Sequence, residues 1–142
     1  FEQGLIAYVD GSYNVKTKEY GFGCVLIEGV QVIKEVYDKG NDVNYASMRN
    51  VAGEILGSLY AMEFAKNNGY MQVCIYYDYE GIEKWANGSW KANKIKTQEY
   101  QKKVIQYRES MDIVFVKVLA HSGDVYNERA DKLAKKAVGI NG

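Results

Sequence analysis

The chain has 142 residues, of which 47% are hydrophobic, and it carries 18 basic and 18 acidic side chains. This length suits one domain with a real core, and the apolar fraction excludes a disordered chain. No apolar run is long enough to cross a membrane, and no signal segment follows Phe1. A chain that does not begin with Met leaves open a missing N-terminal domain. The balanced charge gives no support for nucleic-acid binding.

The N-terminal part of the chain is predicted to form three strands. Apolar residues favour strands over residues 5–12, 21–28 and 30–37. The turn at Glu28 and Gly29 is so short that the second and third strands must form an antiparallel hairpin. The three strands together predict a meander.

A helix is predicted over residues 47–68, with Ser47 as its N-cap. Its apolar residues recur along one helical face: Val51, Ile55, Leu59 and Met62. Gly53 and Gly57 weaken a helix by about 1 kcal/mol each relative to alanine. Their small size allows another element to approach this helix closely.

The remaining segments alternate between helix and strand. We predict a buried strand at 71–77, a short helix at 79–86, a lysine-rich loop to residue 97, a helix at 98–110 and a strand at 112–119. Asp124 is predicted to cap a last helix that ends at residue 138. The order β-β-β-α-β-α-α-β-α implies an α/β fold with a mixed sheet. Cys24 and Cys74 fall in strands, which favours buried free thiols and a reducing, cytoplasmic location.

Four acidic residues stand where a core does not need them. Asp10 and Asp78 each follow an apolar strand segment, Glu54 lies within the long helix, and Asp131 lies near the start of the last helix. If the two strands are parallel neighbours, these carboxylates meet at one edge of the sheet. Converging carboxylates are costly without a cation, and paired divalent metals suit phosphodiester cleavage. The pattern therefore predicts a metal-dependent nuclease.

Each of these residues also has a simpler interpretation. Asp10 could belong to a turn, Glu54 could be a solvated surface residue, and Asp78 could cap a helix. Asp131 could interact favourably with the dipole of its own helix. His121 is the one histidine of the chain and could be an ordinary loop residue. The joint arrangement of the four carboxylates favours the functional interpretation.

The segment 84–103 holds six lysines against one acid, Glu99. Such a patch could bind a phosphate backbone, but it could equally be a solvated helix and loop. Charge alone favours the second interpretation.

Over essentially its whole length the chain resembles ribonuclease H of type 1. The resemblance rests on residues 8–12 (Tyr-Val-Asp-Gly-Ser), 50–54 (Asn-Val-Ala-Gly-Glu) and 75–78 (Ile-Tyr-Tyr-Asp). Its most specific part is 121–134 (His-Ser-Gly-Asp-Val-Tyr-Asn-Glu-Arg-Ala-Asp-Lys-Leu-Ala), which is similar to the family's histidine loop and C-terminal helix. The resemblance implies a single catalytic domain over residues 1–142. It also implies a mixed five-stranded sheet, with three antiparallel strands and two parallel ones, flanked by helices.

The same resemblance implies an endonuclease that cuts the RNA strand of RNA–DNA hybrids. The implied ligands of two Mg²⁺ ions, with Mn²⁺ left open, are Asp10, Glu54, Asp78 and Asp131. In the implied mechanism one metal activates water, the other stabilises the leaving 3′ oxygen, and Asp10 bridges both. His121 would assist turnover and product release. Asn50 would contact the hybrid in its minor groove, and the backbone of Gly11 and Ser12 would contact the RNA.

The chain departs from the family pattern in three places. Tyr79 and Glu80 stand where many members have Ser and Gln, which puts a usual contact with the hybrid in doubt. The family's Gly-Asn-Pro-Gly turn is absent, since the chain has no proline. The loop 87–97 is short, as in compact bacterial members joined to an N-terminal hybrid-binding domain. Our candidates within it for binding DNA-strand phosphates are Trp90, Lys94, Lys96 and Thr97.

Two other functions stay open at this point. The same fold hosts DNA-cutting recombinases and resolvases, and fold alone does not decide function. A degenerate domain could instead bind hybrids without cutting them. The expected partner is an RNA–DNA hybrid and not a membrane, and the expected state is a monomer.

Overall fold

The computed structural model describes residues 4–119 and 124–140, which form one mixed sheet with helices on both faces. The strands are β1 (Gly4–Asn14), β2 (Glu19–Glu28), β3 (Gln31–Gly40), β4 (Gln72–Tyr77) and β5 (Asp112–Lys117). The helices are α1 (Val43–Ala46), α2 (Asn50–Asn67), α3 (Gly81–Ala86), α4 (Ile95–Arg108) and α5 (Val125–Ala137).

The five strands lie in the order β3-β2-β1-β4-β5. β1 and β2 pair antiparallel, as do β2 and β3, whereas β1–β4 and β4–β5 are parallel pairs. The predicted meander, the mixed sheet and the parallel neighbours that carry Asp10 and Asp78 are therefore confirmed. Because α2 precedes β4 in the chain, it provides the crossover that a parallel β1–β4 pair requires.

The two faces of the sheet bury side chains of very different number. Leu5, Ala7 and Val9 alternate along β1 toward the larger core, where they meet Ile55 and Met62 of α2. The opposite face holds a smaller cluster, which is formed by Val25, Ile27, Ala130 and Leu133. Because successive side chains of a strand point to opposite faces, β1 contributes residues to both cores.

Close backbone contact brings α2 onto the strands that carry the acidic residues. A Cβ atom on Gly53 would lie 1.9 Å from the carbonyl oxygen of Gly21 in β2. A Cβ atom on Gly11 would lie 2.0 Å from the carbonyl oxygen of Asn50. Only glycine permits either approach, so these two residues set the distance between α2 and the sheet.

Three local predictions were wrong. Ser47 is the C-cap of α1 and not the N-cap of α2, which begins at Asn50 after Arg49. The helix α1 was not predicted, because four residues are too few to display a helical period. Helix α4 begins at Ile95, within the segment predicted as a loop, and the hydroxyl of Thr97 bonds to the backbone N–H and carbonyl of Lys94 at its start.

The strand β1 also runs further than predicted. It pairs with β2 through Asn14, so Asp10 does not stand at the end of the strand. Asp10 does lie beyond the last parallel pair between β1 and β4, which joins Tyr8 to Tyr76. Asp10 therefore lies just past the end of the parallel β1–β4 pairing but not at the end of β1 itself.

Cys24 and Cys74 are buried and free, as predicted. Within residues 4–119 and 124–140, no helix has the length and apolar character needed to cross a bilayer.

Candidate active site

A cavity of about 180 Å³ opens where the parallel pairing of β1 and β4 ends. Most of the residues that line it are acidic or carry an amide: Asp10, Gly11, Asn50, Asp78, Asn127, Glu128 and Asp131. Three of the four predicted carboxylates therefore reach one cavity from β1, the end of β4 and α5. We refer to it as the acidic cavity.

Glu54, the fourth predicted carboxylate, lies behind this lining and is only 3% exposed. Its Oε2 accepts the backbone N–H of Asp78 at 3.0 Å, and its Oε1 accepts that of Tyr79 at 2.7 Å. Both oxygens are thus bonded to the segment that follows β4. In this arrangement Glu54 fixes the position of Asp78 relative to α2.

The acidic cavity is electrostatically unfavourable without a cation. Burial raises the pKa of Asp10 to about 7, although the Gly11 N–H donates to its Oδ1 at 2.8 Å and opposes the shift. The charges of Asp131 and Asp78 raise the pKa of Asp10 further. Burial likewise raises the pKa of Glu54 to about 8, despite its two backbone donors, and the Asp10 charge adds to this. Desolvation and like-charge repulsion therefore act together on both groups.

Asp131 already has a cationic partner. The Nζ atom of Lys135, one helical turn along α5, lies 3.0 Å from its Oδ2. Asn127 and Glu128, on the same helix, also line the acidic cavity and were not predicted as site residues. The signal was present in the sequence, because residues three and four positions before Asp131 share its helical face.

The donor chemistry of the acidic cavity fits a hard divalent cation, since carboxylate and amide oxygens are the ligands that Mg²⁺ and Mn²⁺ accept. Their placement fits less closely. Among the residues that the structure describes, no three acidic, histidine or cysteine side chains are gathered tightly enough to hold an ion as they stand. Asp131 is turned to Lys135 and Glu54 to backbone N–H groups. Binding a metal would therefore require the carboxylates to move closer together.

The predicted substrate-contacting residues of β1 and α2 lie next to the acidic cavity. Asn50 is exposed on its rim at the first position of α2. Gly11 lines it too, but its N–H is engaged by Asp10. Ser12 is 9% exposed and pairs with Gly21 in the antiparallel ladder. Of these three residues, Asn50 is therefore the most accessible to a ligand.

A second cavity of about 330 Å³ lies on the other side of this rim. Tyr79, Trp85, Lys94 and Thr97 contribute to its lining, together with Met48 and Val51 near the start of α2. The ring centroids of Tyr79 and Trp85 are 5.8 Å apart, and those of Trp85 and Trp90 are also 5.8 Å apart. A partly exposed aromatic surface therefore adjoins Lys94.

The predicted phosphate-binding residues are not equally available. The Nζ of Lys96 lies 3.2 Å from Glu99, 3.8 Å from Asp42 and 4.8 Å from the ring centroid of Tyr45. Thr97 is 2% exposed, and its hydroxyl bonds to the backbone of Lys94. The Trp90 ring packs against Tyr79 and Trp85, with Lys84 Nζ 5.3 Å from its centroid, whereas the Lys94 side chain is exposed. His121 lies outside the described residues, so its role stays a prediction.

An acidic cavity at the end of parallel strands, in a mixed sheet of this order, defines the ribonuclease H-like class of folds. The family model described as RNase H matches residues 2–139, so the chain belongs to the ribonuclease H family. Ribonuclease H of Wolbachia pipientis wMel is 29% identical, with 94% of each chain covered. Ribonuclease H of Syntrophomonas wolfei is 28% identical, with 94% of this chain and 95% of the relative covered.

Solved structures show the same fold. RNase H1 from the halophilic archaeon Halobacterium salinarum NRC-1 matches with a TM-score of 0.79 at 23% identity and covers 96% of this chain and 98% of its own. LC11-RNase H1, solved in complex with an RNA/DNA hybrid, matches with a TM-score of 0.77 at 22% identity and covers 95% and 96%. The expected family and fold are therefore both confirmed.

Proposed function

We propose that this protein is an endoribonuclease that hydrolyses the RNA strand of RNA–DNA hybrids, with divalent metal ions held by its acidic cavity. The observation that carries the proposal is the convergence of Asp10, Asp78 and Asp131 on one cavity with Asn50 at its rim. Membership of the ribonuclease H family supports the same chemistry. Residues 1–142 would form a single catalytic domain.

Asp10, Asp78 and Asp131 would hold the metal, and Glu54 would join them through the lone pairs that its two backbone donors leave free. When bound, two Mg²⁺ or Mn²⁺ ions would supply an activated water and neutralise charge at the leaving 3′ oxygen. The carboxylates, which repel one another, would then be paired with positive charge. No serine or cysteine nucleophile is needed.

Substrate choice would rest on the rim of the acidic cavity. The amide of Asn50 can donate and accept hydrogen bonds, so it can contact a base edge or a 2′-hydroxyl in the minor groove. Hybrids are recognised by shape and by 2′-hydroxyls, so little sequence preference is expected. The complex of LC11-RNase H1 with an RNA/DNA hybrid supports the proposed substrate by analogy.

The deciding experiment is a cleavage assay on three substrates of one sequence: an RNA–DNA hybrid, duplex DNA and duplex RNA. Each is incubated with Mg²⁺, with Mn²⁺ and with a chelator, using wild type and the Asp10→Asn variant. We expect cutting of the hybrid's RNA strand only, only with metal and only by wild type. Cutting of duplex DNA would favour a DNA-cutting nuclease. Tight hybrid binding with no cleavage under any metal would favour a binding domain.

A further inference from the structure

Three tyrosine rings lie against one another next to the acidic cavity: Tyr8 of β1, Tyr76 of β4 and Tyr126 of α5. Tyr8 and Tyr76 form the last parallel pair between β1 and β4, and their stacked rings have centroids 4.4 Å apart. Tyr8 shares a face of β1 with Asp10, because side chains two positions apart on a strand point the same way. We refer to the three rings as the tyrosine cluster. None of its members is among the predicted site residues.

Helix α5 is the element of the acidic cavity whose position depends least on the hydrogen bonds of the sheet. Ladder bonds join β1 to β4, whereas α5 is placed by side-chain contacts. At its C-terminal end, the side-chain amide of Asn14 donates to the Val138 carbonyl at 2.8 Å. The residues of α5 that line the cavity lie in its first two turns: Asn127, Glu128 and Asp131. Their distance from Asp10 therefore depends on contacts near the start of α5.

Tyr8 makes such a contact with its ring and with its hydroxyl. The ring centroids of Tyr8 and Tyr126, in the first turn of α5, are 5.4 Å apart. Asp124 is the N-cap of α5, and its Oδ1 accepts the backbone N–H groups of Tyr126 at 2.9 Å and Asn127 at 3.1 Å. Burial and the nearby Asp124 carboxylate together raise the pKa of Tyr8 to about 12. The Tyr8 hydroxyl is therefore a protonated donor that faces the cap of α5.

The start of α5 and Asp131 move together. An α-helix is stiff, and the seven residues from Asp124 to Asp131 span roughly 10 Å along its axis. Tyr8 and Asp10 are likewise carried by one strand. A contact between Tyr8 and the cap of α5 thus fixes the strand that carries one carboxylate relative to the helix that carries another.

We infer that Tyr8 is a positioning residue of the acidic cavity, which holds the start of α5 so that Asp131 stays within reach of a metal ion bound by Asp10. Its ring would set the spacing through Tyr126, and its hydroxyl would fix the cap through Asp124. This inference rests on the proposed function, because it assumes that the cavity binds a divalent metal.

The first test is Mg²⁺ binding by Tyr8→Phe, measured by calorimetry on the protein without nucleic acid. The change keeps the ring and removes the hydroxyl alone. We expect Mg²⁺ affinity to fall roughly tenfold, as when a residue that orients a metal ligand is lost. The matched control is Tyr70→Phe, which removes a hydroxyl that donates to Glu28 Oε1 at 2.7 Å near the opposite end of β4. Its Mg²⁺ affinity should equal that of wild type.

Hybrid cleavage separates positioning from substrate binding. At low Mg²⁺ concentration, kcat of Tyr8→Phe should fall, while KM for the hybrid should not change because Asn50 at the rim is untouched. Saturating Mg²⁺ should restore most of kcat, since the bound ion then holds Asp131 in place of the Tyr8 contact. A raised KM, or a kcat that saturating Mg²⁺ leaves low, would contradict the positioning role.

A double-mutant cycle tests whether Tyr8 acts through Asp124. Serine caps helices about as well as aspartate but has a single side-chain oxygen, so Asp124→Ser keeps the cap and removes the second oxygen. We expect Asp124→Ser to weaken Mg²⁺ binding and the double variant to bind no more weakly than Tyr8→Phe alone. Additive losses would show that the two residues act separately. Unchanged Mg²⁺ affinity in Tyr8→Phe, or an equal loss in Tyr70→Phe, would also overturn the inference.

Failure of the inference is distinguishable from failure of the proposed function. The reference measurements are Mg²⁺ binding and hybrid cleavage by wild type. A wild type that binds Mg²⁺ and cuts the hybrid, with Tyr8→Phe identical to it, would contradict only the role of Tyr8. A wild type that neither binds the metal nor cuts the hybrid would contradict the proposed function itself.

Discussion

The acidic cavity has a neighbour that differs from it in charge and in origin: a groove lined by Tyr13, Lys18 and Arg49, which we call the Arg49 groove. Asn50 borders the cavity and Arg49 borders the groove, so two consecutive residues face opposite electrostatic surroundings. The cavity gathers Asp10, Asp78 and Asp131 from separate elements of the sheet and α5. The groove is built from turns and from the residues that precede α2.

This difference in charge has a consequence for binding an anion. Carboxylates repel a phosphate backbone, so the acidic cavity cannot hold a nucleic acid through its own side chains. A bound metal would reverse that repulsion at one point. The sheet topology thus determines where the carboxylates of the acidic cavity lie, and local backbone determines where the cations of the groove lie.

The largest effect is expected when one carboxylate is removed from the acidic cavity. We expect Asp10→Asn and Asp78→Asn each to reduce cleavage below detection, because a neutral amide cannot replace an anionic metal ligand. Hybrid affinity should change far less, since Asn50 at the rim of the cavity remains in place. The matched control is Asp38→Asn, an exposed aspartate on β3. Full cleavage by either cavity variant would contradict the metal-site assignment.

The next largest effect is expected when α2 is separated from the sheet. In Gly53→Ala the new Cβ would meet the Gly21 carbonyl oxygen at 1.9 Å, so backbone must shift. We expect the free energy of unfolding to fall by about 3 kcal/mol, at the upper end of typical overpacking costs. Gly57→Ala is the matched control, since its Cβ would lie 3.3 Å from the Val9 Cβ and alanine favours the helix by about 1 kcal/mol. Urea unfolding of the two variants measures the contrast, and equal stability would show that close approach at Gly53 is unimportant.

The sequence predicted the sheet and the acidic cavity because both follow from patterns that extend over many residues. Apolar runs identified β1 and β4, and the rule for parallel strands placed Asp10 and Asp78 together. The helical face of Asp131 would also have identified Asn127 and Glu128, had the spacing been applied.

The Arg49 groove and the bonding of Glu54 could not be predicted in this way. Helix α1 is too short to show a period, and an arginine at φ 55° contradicts the residue preference on which sequence reasoning depends. The backbone donors of Glu54 come from residues 24 and 25 positions away, and nothing in the local pattern marks them. Features that depend on local backbone strain or on distant backbone donors leave no periodic signal.

A smaller effect is expected in the pH dependence of the melting temperature of the metal-free protein. Burial raises the pKa of Asp10 from 3.8 to about 7 and that of Glu54 from 4.5 to about 8. A raised carboxyl pKa gives a contribution that is complete below the unfolded value and is lost as pH rises through the folded value. The melting temperature should therefore be lower at pH 9 than at pH 5.

Two comparisons isolate the acidic cavity in that measurement. Asp10→Asn should make the decline between pH 5 and pH 9 shallower and should raise the melting temperature at pH 9, whereas Asp38→Asn should change neither. Excess Mg²⁺ should stabilise wild type at pH 9 more than the Asp10→Asn variant, because ligand binding to the native state is linked to stability. Identical pH profiles for wild type and Asp10→Asn would contradict the repulsion inferred among these carboxylates.

The smallest expected effect concerns Asn50, which stands between the acidic cavity and the Arg49 groove. Asn50→Ala removes one amide that can bond to a base edge or a 2′-hydroxyl, and such a bond contributes about 1 kcal/mol. Hybrid cleavage should therefore fall roughly fivefold, while Mg²⁺ binding, followed by calorimetry, should not change.

Recognition of several 2′-hydroxyls also predicts that a DNA duplex with four consecutive ribonucleotides is cut much faster than one with a single ribonucleotide. Asn50→Ala should narrow that preference, and Asn68→Ala, at the far end of α2, should leave it as in wild type. Equal cutting of the two duplexes by wild type would show that the rim does not recognise RNA.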